Sequence, residues 1–583
     1  MKPCSFKVTE KTKKLAVVLL FLLLFGVGIA TTGAYGQHCD ENNQFVLVHA
    51  NMKEYILQLV KGGMQADLVK WYDDRGIVEI SKSENLDHGI AAYYPIAPLL
   101  LTDQMSHGFM LLLWNGYTFL LFFLGVISLY FIGKKLFLSR AAGCVTAVLF
   151  YLTPRMFAEG HYNNKDLILL CLALLSVWMG LEFAEKRQFR YAILMGAAAA
   201  FAANIKIVGA WPFALVGLWY LWELTRKKEW SQKNFFVGAC AVVSFLTVYI
   251  LITPACWSNP AGFLAYLTGN AQHFSRWDGE ILFAGQLYKH SRNPLPRLYL
   301  IRMLGMTVPV YVLVLWCIGQ VALFVKLCRE RKAFFKEGRN SFFLLVSLWW
   351  FLPLSIAMAS QTLVYNSWRH FYFCYGAIVL LAVYGLFALI RLAEAKVRCG
   401  REQNGKKAGA ERSWHPAIVL GGYGVMAVCL LFTAVQNIKY HPYQYAYFNA
   451  LAGKGIEEEY EIDYWVIGGR AILEELSSYL AKEAGIEPEA VFAGEGAPVT
   501  ISACDITTLI GMENGWVNLP AAERAMLSCT DNWQEADYVV VNSTYSVIEE
   551  LAGNADNRFV KDNYTKVCEI SAYGNEIWSV YRK

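Results

Sequence analysis

Two acidic sites stand where apolar runs meet polar sequence. Asp40-Glu41 follows the first run, and Asp166 opens the fourth, within His161-Tyr162-Asn163-Asn164-Lys165-Asp166. A charged side chain at a bilayer centre costs about 2.5–3.5 kcal/mol on insertion scales, so acids kept at its edge point to function. Two carboxylate sites on one membrane face could remove a proton or position a cation. Asp40 or Glu41 would suit a general base at the membrane–water interface, taking a proton from an attacking hydroxyl or amine, an effect of about 10²–10⁴ in rate. The plainer reading of the pair is a solvated loop start.

Asp166 also has a local reading. Asn163 or Asn164 can cap the fourth span, and a carboxylate in the first turn gains about 0.3–1 kcal/mol from the helix dipole. Capping accounts for the acid but not for Arg155, Glu159, His161 and Lys165 around it. So many ionisable groups in one short hairpin imply a polar cavity, with His161 and Asn164 as lining or acceptor-binding groups.

A third constellation, Arg369-His370, follows Tyr365-Asn366-Ser367-Trp368 at the start of a late span. A cation and a Trp at a membrane boundary make an ordinary snorkelling anchor. A guanidinium also matches a phosphate bidentately, and an Arg-His pair on the outer face fits a lipid phosphate. Arg276 and Lys165 are further candidates for that phosphate.

These groups must be positioned by membrane helices. The chain has 583 residues, 56% hydrophobic and only 17% charged, with a formal charge of +5, and its mean hydropathy is +0.33. Soluble chains carry about 25% charged residues. Apolar runs of spanning length recur near 15–34, 108–132, 141–158, 166–184, 191–206, 208–224, 235–253, 300–325, 341–359, 370–391 and 415–436, giving about 11 transmembrane helices. Every second loop is basic: Lys134, Lys135 and Arg140; Lys186, Arg187 and Arg190; Arg226, Lys227, Lys228 and Lys233; Arg329 to Arg339; Arg391 to Arg412. By the positive-inside rule these loops and residues 1–14 are cytoplasmic, and an odd number of spans puts the C-terminus outside. The first run resembles a signal peptide, but its length and the spans that follow favour an uncleaved anchor.

The outer loops 35–107 and 254–299 are long. Within the first, Asn51–Gly62 has helical apolar spacing suited to the membrane surface, and the Pro-broken stretch 91–101 is too short to span. From about 437 to 583 the composition becomes that of a soluble domain. Ile472–Ala484 predicts an amphipathic helix, and Val499–Ser502, Tyr538–Val541 and Ile577–Tyr581 predict strands. The expected fold class is therefore mainly α, polytopic, with a small C-terminal extracytoplasmic α/β domain. The 14 cysteines are scattered, mostly in apolar runs, without CxxC spacing; they read as small apolar side chains.

The residues around these sites resemble a known family. Thr153-Pro154-Arg155-Met156-Phe157-Ala158-Glu159-Gly160-His161-Tyr162-Asn163-Asn164-Lys165-Asp166 resembles the second outer loop of bacterial family 39 glycosyltransferases, relatives of dolichyl-phosphate-mannose protein mannosyltransferases and of lipid A aminoarabinose transferase. Asp40-Glu41 is similar to the family's first-loop acidic motif, and Trp368-Arg369-His370-Phe371-Tyr372-Phe373 resembles its late Arg-His motif. His441-Pro442-Tyr443, Tyr447-Phe448-Asn449 and Asp463-Tyr464-Trp465 resemble the exit from the last span in bacterial members.

The resemblance implies the GT-C fold, a polyprenyl-phosphate-linked sugar donor and inversion at the anomeric carbon. It implies an acidic first-loop base, Asp40 or the adjacent Glu41, with Asp166 positioning the acceptor or a cation. Some relatives bind a divalent metal near these acids and others need none, so a metal is left open. The absence of a nucleotide-binding glycine loop fits a lipid-phosphate donor. The competing class is a transporter or flippase, whose ionisable groups tend to sit at the bilayer midplane on broken helices, often within repeats. No repeat is evident here. A third reading, a membrane anchor for the C-terminal domain, would not require acids in two loops.

Overall fold

The computed structural model describes residues 9–100, 105–272, 277–403, 416–483 and 498–583. Among these, nine helices are long and apolar enough to cross a membrane. The bent pair Arg140–Leu152 and Pro154–Tyr162, and the shorter helix Phe189–Ile205, are the remaining apolar elements. Together they account for the eleven apolar runs of the sequence, with two corrections.

The run 141–158 is not one straight span. It bends by 70° between Leu152 and Pro154, because proline has no N–H to continue the helical ladder and restarts a helix well at its first position. All nine residues of Pro154–Tyr162 are buried. The run 300–325 is likewise two helices, Tyr299–Thr307 and Val310–Glu330, parted at Val308-Pro309. Asn449 closes that break: its Nδ2 donates to the carbonyls of Gly305 at 2.7 Å and Val308 at 2.6 Å.

Burial sorts the spans. The apolar windows of Asp166–Lys186 and Arg369–Val397 are 83% and 78% buried, against 17% for Glu10–Ala34 and 11% for Ala417–Lys439. The first two are the bundle's centre, and the others face its surroundings. Small residues allow the tightest helix contact: a Cβ on Gly319 would stand 2.0 Å from the Leu381 carbonyl oxygen, and one on Gly385 2.0 Å from that of Leu315. At one end of the bundle lie the basic loops, laced by ion pairs such as Arg140–Glu10, Lys135–Glu182 (2.9 Å) and Arg187–Glu229 (3.0 Å).

The first long loop is more structured than its sequence suggested. Its helix begins at Glu41 and ends at Leu59, rather than lying on a surface from Asn51. Lys53 and Glu54 turn inward, where Lys53 pairs with Asp73 at 2.6 Å and Glu79 at 3.4 Å and Glu54 accepts from the Ser81 backbone at 3.2 Å. The other long loop carries an unforeseen hairpin of β1 (Glu280–Phe283) and β2 (Gln286–Lys289). Ala284 and Gly285 both have positive φ, 52° and 69°, as a two-residue hairpin turn requires.

The C-terminal region is a five-stranded mixed sheet with helices. It comprises β3 (Val499–Ala503), β4 (Leu527–Cys529), β5 (Tyr538–Asn542), β6 (Thr565–Ala572) and β7 (Asn575–Arg582), in the order β4-β3-β5-β7-β6. β3 runs parallel to β4 and β5, and β7 antiparallel to β5 and β6. The three expected strands and the Gly469–Glu483 helix are present; β4 and β6 were not foreseen, since β4 has three residues and β6 exposes much of its length. Asp463 anchors the sheet to the chain leaving the membrane: its carboxylate accepts from Trp578 Nε1 at 2.8 Å and from the Gly468 and Ile467 amides at 2.9 and 3.0 Å. The fold is thus mainly helical and polytopic with a small C-terminal sheet, as the sequence predicts.

Candidate functional site

The two central spans open at the same place. Asp166 begins one and Arg369 the other. Asn163 caps the first: its Oδ1 accepts from the amides of Lys165, Asp166 and Leu167 at 3.2, 2.9 and 3.4 Å. Its Nδ2 donates to Glu159 at 2.7 Å, and the other oxygen of Glu159 accepts from the Tyr372 hydroxyl at 2.6 Å. One chain of hydrogen bonds therefore ties the reversed turn after Pro154 to both central helices.

Asp166 is buried between two cations. Arg369 Nη1 lies 3.3 Å from its Oδ2, and Lys206 Nζ bonds Oδ1. Asn366 accepts from Arg369 Nη2 at 3.2 Å and itself donates to Glu461 at 3.3 Å. The guanidinium carbon stands 4.5 Å from the ring centroid of Trp465 and 4.9 Å from that of Tyr365. Aromatic faces attract a guanidinium and fix its plane. Arg369 Nε and His370 Nε2 are buried with no hydrogen-bond partner, as is Asn164 Nδ2. Buried donors of this kind carry a desolvation cost that a ligand oxygen would relieve.

Asp40 lies beside this group, half-buried. Among the described residues it has no ion-pair partner within 4 Å, yet it feels both Lys165 and Arg369. Burial pushes its carboxyl up, but His38 and those two cations outweigh burial and hold the pKa below the ordinary carboxylate value. Burial brings the Lys165 ammonium down to about 8, against the pull of Asp40 and Asp166. The cluster therefore sets three cationic side chains, Lys165, Lys206 and Arg369, against the carboxylates of Asp40 and Asp166, while burial raises the third acid, Glu461, to about 8 and favours its neutral form at neutral pH. Such a surplus can hold a phosphate while leaving one acid, Asp40, accessible.

The other sequence candidates fall elsewhere. Glu41 is fully buried, with only the His38 amide at 3.4 Å and the His38 ring at 3.8 Å near its carboxylate. Burial drives its pKa up to about 8, so its protonated form prevails at neutral pH, whereas Asp40 is held ionised. His161 is stacked between Tyr35 and Phe119, with ring centroids 4.6 and 5.0 Å away. Its two nitrogens face the carbonyls of Phe157 at 2.9 Å and Gly28 at 3.0 Å, so it ties the bent helix to the first span. Arg155 donates to the Tyr447 carbonyl at 3.0 Å and covers the Phe448 ring. Arg276 lies outside the described residues.

Sequence reasoning passed over Lys206, Asn366, Glu461 and Trp465 as site residues. Lys206 had a signal: with Asn204 it interrupts an otherwise apolar stretch. Trp465 lay in the Asp463-Tyr464-Trp465 motif, which carried the resemblance but was given no site role; Glu461 had no signal, because it comes from the far side of the last span. Among the described residues, no group of three or more His, Cys, Asp or Glu side chains could hold a metal ion. Asp166 already faces two cations, so its surroundings fit an anion better than a divalent metal.

A cationic cluster at the mouths of buried spans is the geometry against which the comparisons with known proteins are set. Residues 111–255 match the family model of dolichyl-phosphate-mannose-protein mannosyltransferases. The matched stretch contains the Thr153–Asp166 motif on which the sequence resemblance stands, and Lys206; Asp40 and Arg369 lie beyond it. Among solved structures, the chain is similar to ArnT from Cupriavidus metallidurans, in the apo state and bound to undecaprenyl phosphate. Each pairs at 12% identity over 98% of both chains, with a TM-score of 0.39. A likeness of that size decides neither fold nor chemistry. No curated protein matches the chain.

Proposed function

We propose that the chain is an inverting GT-C glycosyltransferase that moves a sugar from a polyprenyl-phosphate donor to an acceptor on the outer face of the cell membrane. The observation that carries this reading is the pairing of a partly exposed carboxylate, Asp40, its pKa held below the ordinary value, with a three-cation cluster around Asp166. The partial family match supports it.

In this mechanism Asp40 removes the proton from the acceptor hydroxyl or amine as that group attacks the anomeric carbon. The bond from that carbon to the phosphate oxygen breaks, and the electron pair leaves with the polyprenyl phosphate. Arg369 and Lys165 meet the growing phosphate charge, where prepositioned donors act most strongly. Asp166 holds Arg369 and Lys206 in place, and Asn164 and His370 offer further donors. Residues 15–436 form the catalytic part, with residues 1–14 cytoplasmic and 437–583 outside, where Trp465 and Glu461 complete the pocket. The basic loops at the opposite end support this orientation.

The test is direct. Purified protein in lipid discs is given a panel of labelled polyprenyl-phosphate sugars with membrane acceptors, alongside Asp40→Asn. Transfer from one donor, lost in the variant, is expected. No transfer from any donor, with net movement of a lipid-linked sugar across sealed vesicles, would replace the enzyme reading with a flippase.

A further inference from the structure

At the basic end of the bundle, away from the Asp166 pocket, a groove of about 880 Å³ opens between the Val310–Glu330, Gly338–Ser360 and Tyr375–Gln403 helices. Its walls are apolar, including Phe137, Ile318, Val321, Phe343 and Phe387. Val321, Val325, Leu389 and Leu392 are exposed there, on segments that qualify as membrane spans. Its rim carries Lys326, Arg329, Arg339 and Arg391 against Glu330 and Glu337. Lys326 is held by Asn340 Oδ1 at 2.8 Å, which bridges two of the three helices. Arg329 and Arg339 are exposed.

From these features we infer that the groove is a binding site for an anionic glycerophospholipid, its phosphate on the Arg329–Arg339 rim and its acyl chains along the apolar walls. Charge complementarity selects the headgroup: Lys326, Arg329 and Arg339 outnumber Glu330 and Glu337 by one even with Arg391 left out of the count, and Arg329 and Arg339 are the exposed ones. Apolar walls open to the bilayer select a lipid over a soluble anion. Basic pockets between spans are suited to acidic headgroups. The site is separate from the one proposed for transfer and does not depend on it.

The full-length protein would be placed in discs of phosphatidylcholine with increasing phosphatidylglycerol, and retained lipid counted by native mass spectrometry. Reversing two rim charges in Arg329→Glu/Arg339→Glu is expected to weaken phosphatidylglycerol retention at least about tenfold. Val321→Trp, which fills the groove without changing charge, should weaken it too, and decides the matter if the double variant does not fold. Lys228→Glu/Lys233→Glu, on another basic loop, should retain lipid as the parent does. Equal retention in the parent and both groove variants would overturn the site, as would equal loss in the control. Displacement of the lipid by equimolar inorganic phosphate would overturn the lipid as occupant.

Discussion

Arg369 and Asp166, separated by most of the spans, open the two most buried helices of the bundle and meet there, Nη1 to Oδ2, at 3.3 Å. This buried pair leaves Arg369 Nε pointing at no protein acceptor. We expect Arg369→Lys to keep one contact to Asp166 but lose the planar fork that also reaches Asn366. Donor KM should rise at least about tenfold with a folded protein, because Arg and Lys are not equivalent at bidentate sites. Arg369→Met should also lower the melting temperature, since the buried Asp166 carboxylate then keeps Lys206 as its one cationic partner and loses the contact to Oδ2. Unchanged donor kinetics in Arg369→Lys would return the residue to a membrane-boundary anchor.

Asp40→Asn keeps size and polarity but removes the base. Turnover is expected to fall by about 10²–10⁴, with donor binding and expression intact. Single-turnover transfer and donor binding, measured side by side, separate the two. Glu41→Gln should leave turnover within a few-fold of the parent. Near-normal rates in Asp40→Asn would end its assignment as base.

The Lys165 ammonium, lowered to about 8 by burial, should shape the alkaline limb of the rate profile. Below that pH it is charged and can meet phosphate; above it the charge is lost. Asp40 is already ionised at neutral pH, its pKa being held down. The rate is therefore expected to be flat near neutrality and to fall above about pH 8. Lys165→Arg, which stays charged, should carry the limb upward. An identical limb in the parent and Lys165→Arg would remove Lys165 from the phosphate site.

Glu41 makes a stability prediction. Its folded pKa, about 8, lies above the ordinary value of 4.5. Between those values the native state holds a proton the unfolded state has released, so this group's contribution to stability declines as pH rises from 4.5 to 8. Glu41→Gln removes the titration while keeping an acceptor for the His38 amide. The variant should gain thermal stability over the parent at pH 8 and gain little at pH 5. Parallel melting curves at both pH values would show that the carboxyl is not held protonated.

Local chemistry was legible in the chain itself. The apolar runs, the basic loops and the Asn163 cap of the Asp166 helix follow from residues within a few positions of one another, where hydropathy and helix-end hydrogen bonding act. The sheet strands β3, β5 and β7 were visible for the same reason. Pro154 was in plain view, yet the run around it was read as one span, because hydropathy does not register a missing N–H. Lys206 could be noticed as an interruption but not paired. Its partner is Asp166, and only packing of Phe189–Ile205 against the Asp166 helix brings them together. Asp40 and Glu41, adjacent in sequence, take opposite environments, one half-exposed near cations and one sealed away, because a helix begins between them and turns successive side chains to different faces. Trp465 covers Arg369 from a segment that Asp463, two residues earlier, fastens to the sheet through Trp578. Such contacts join segments far apart in the chain. Their geometry is set by how buried helices and the C-terminal sheet fill space together, which no local spacing encodes.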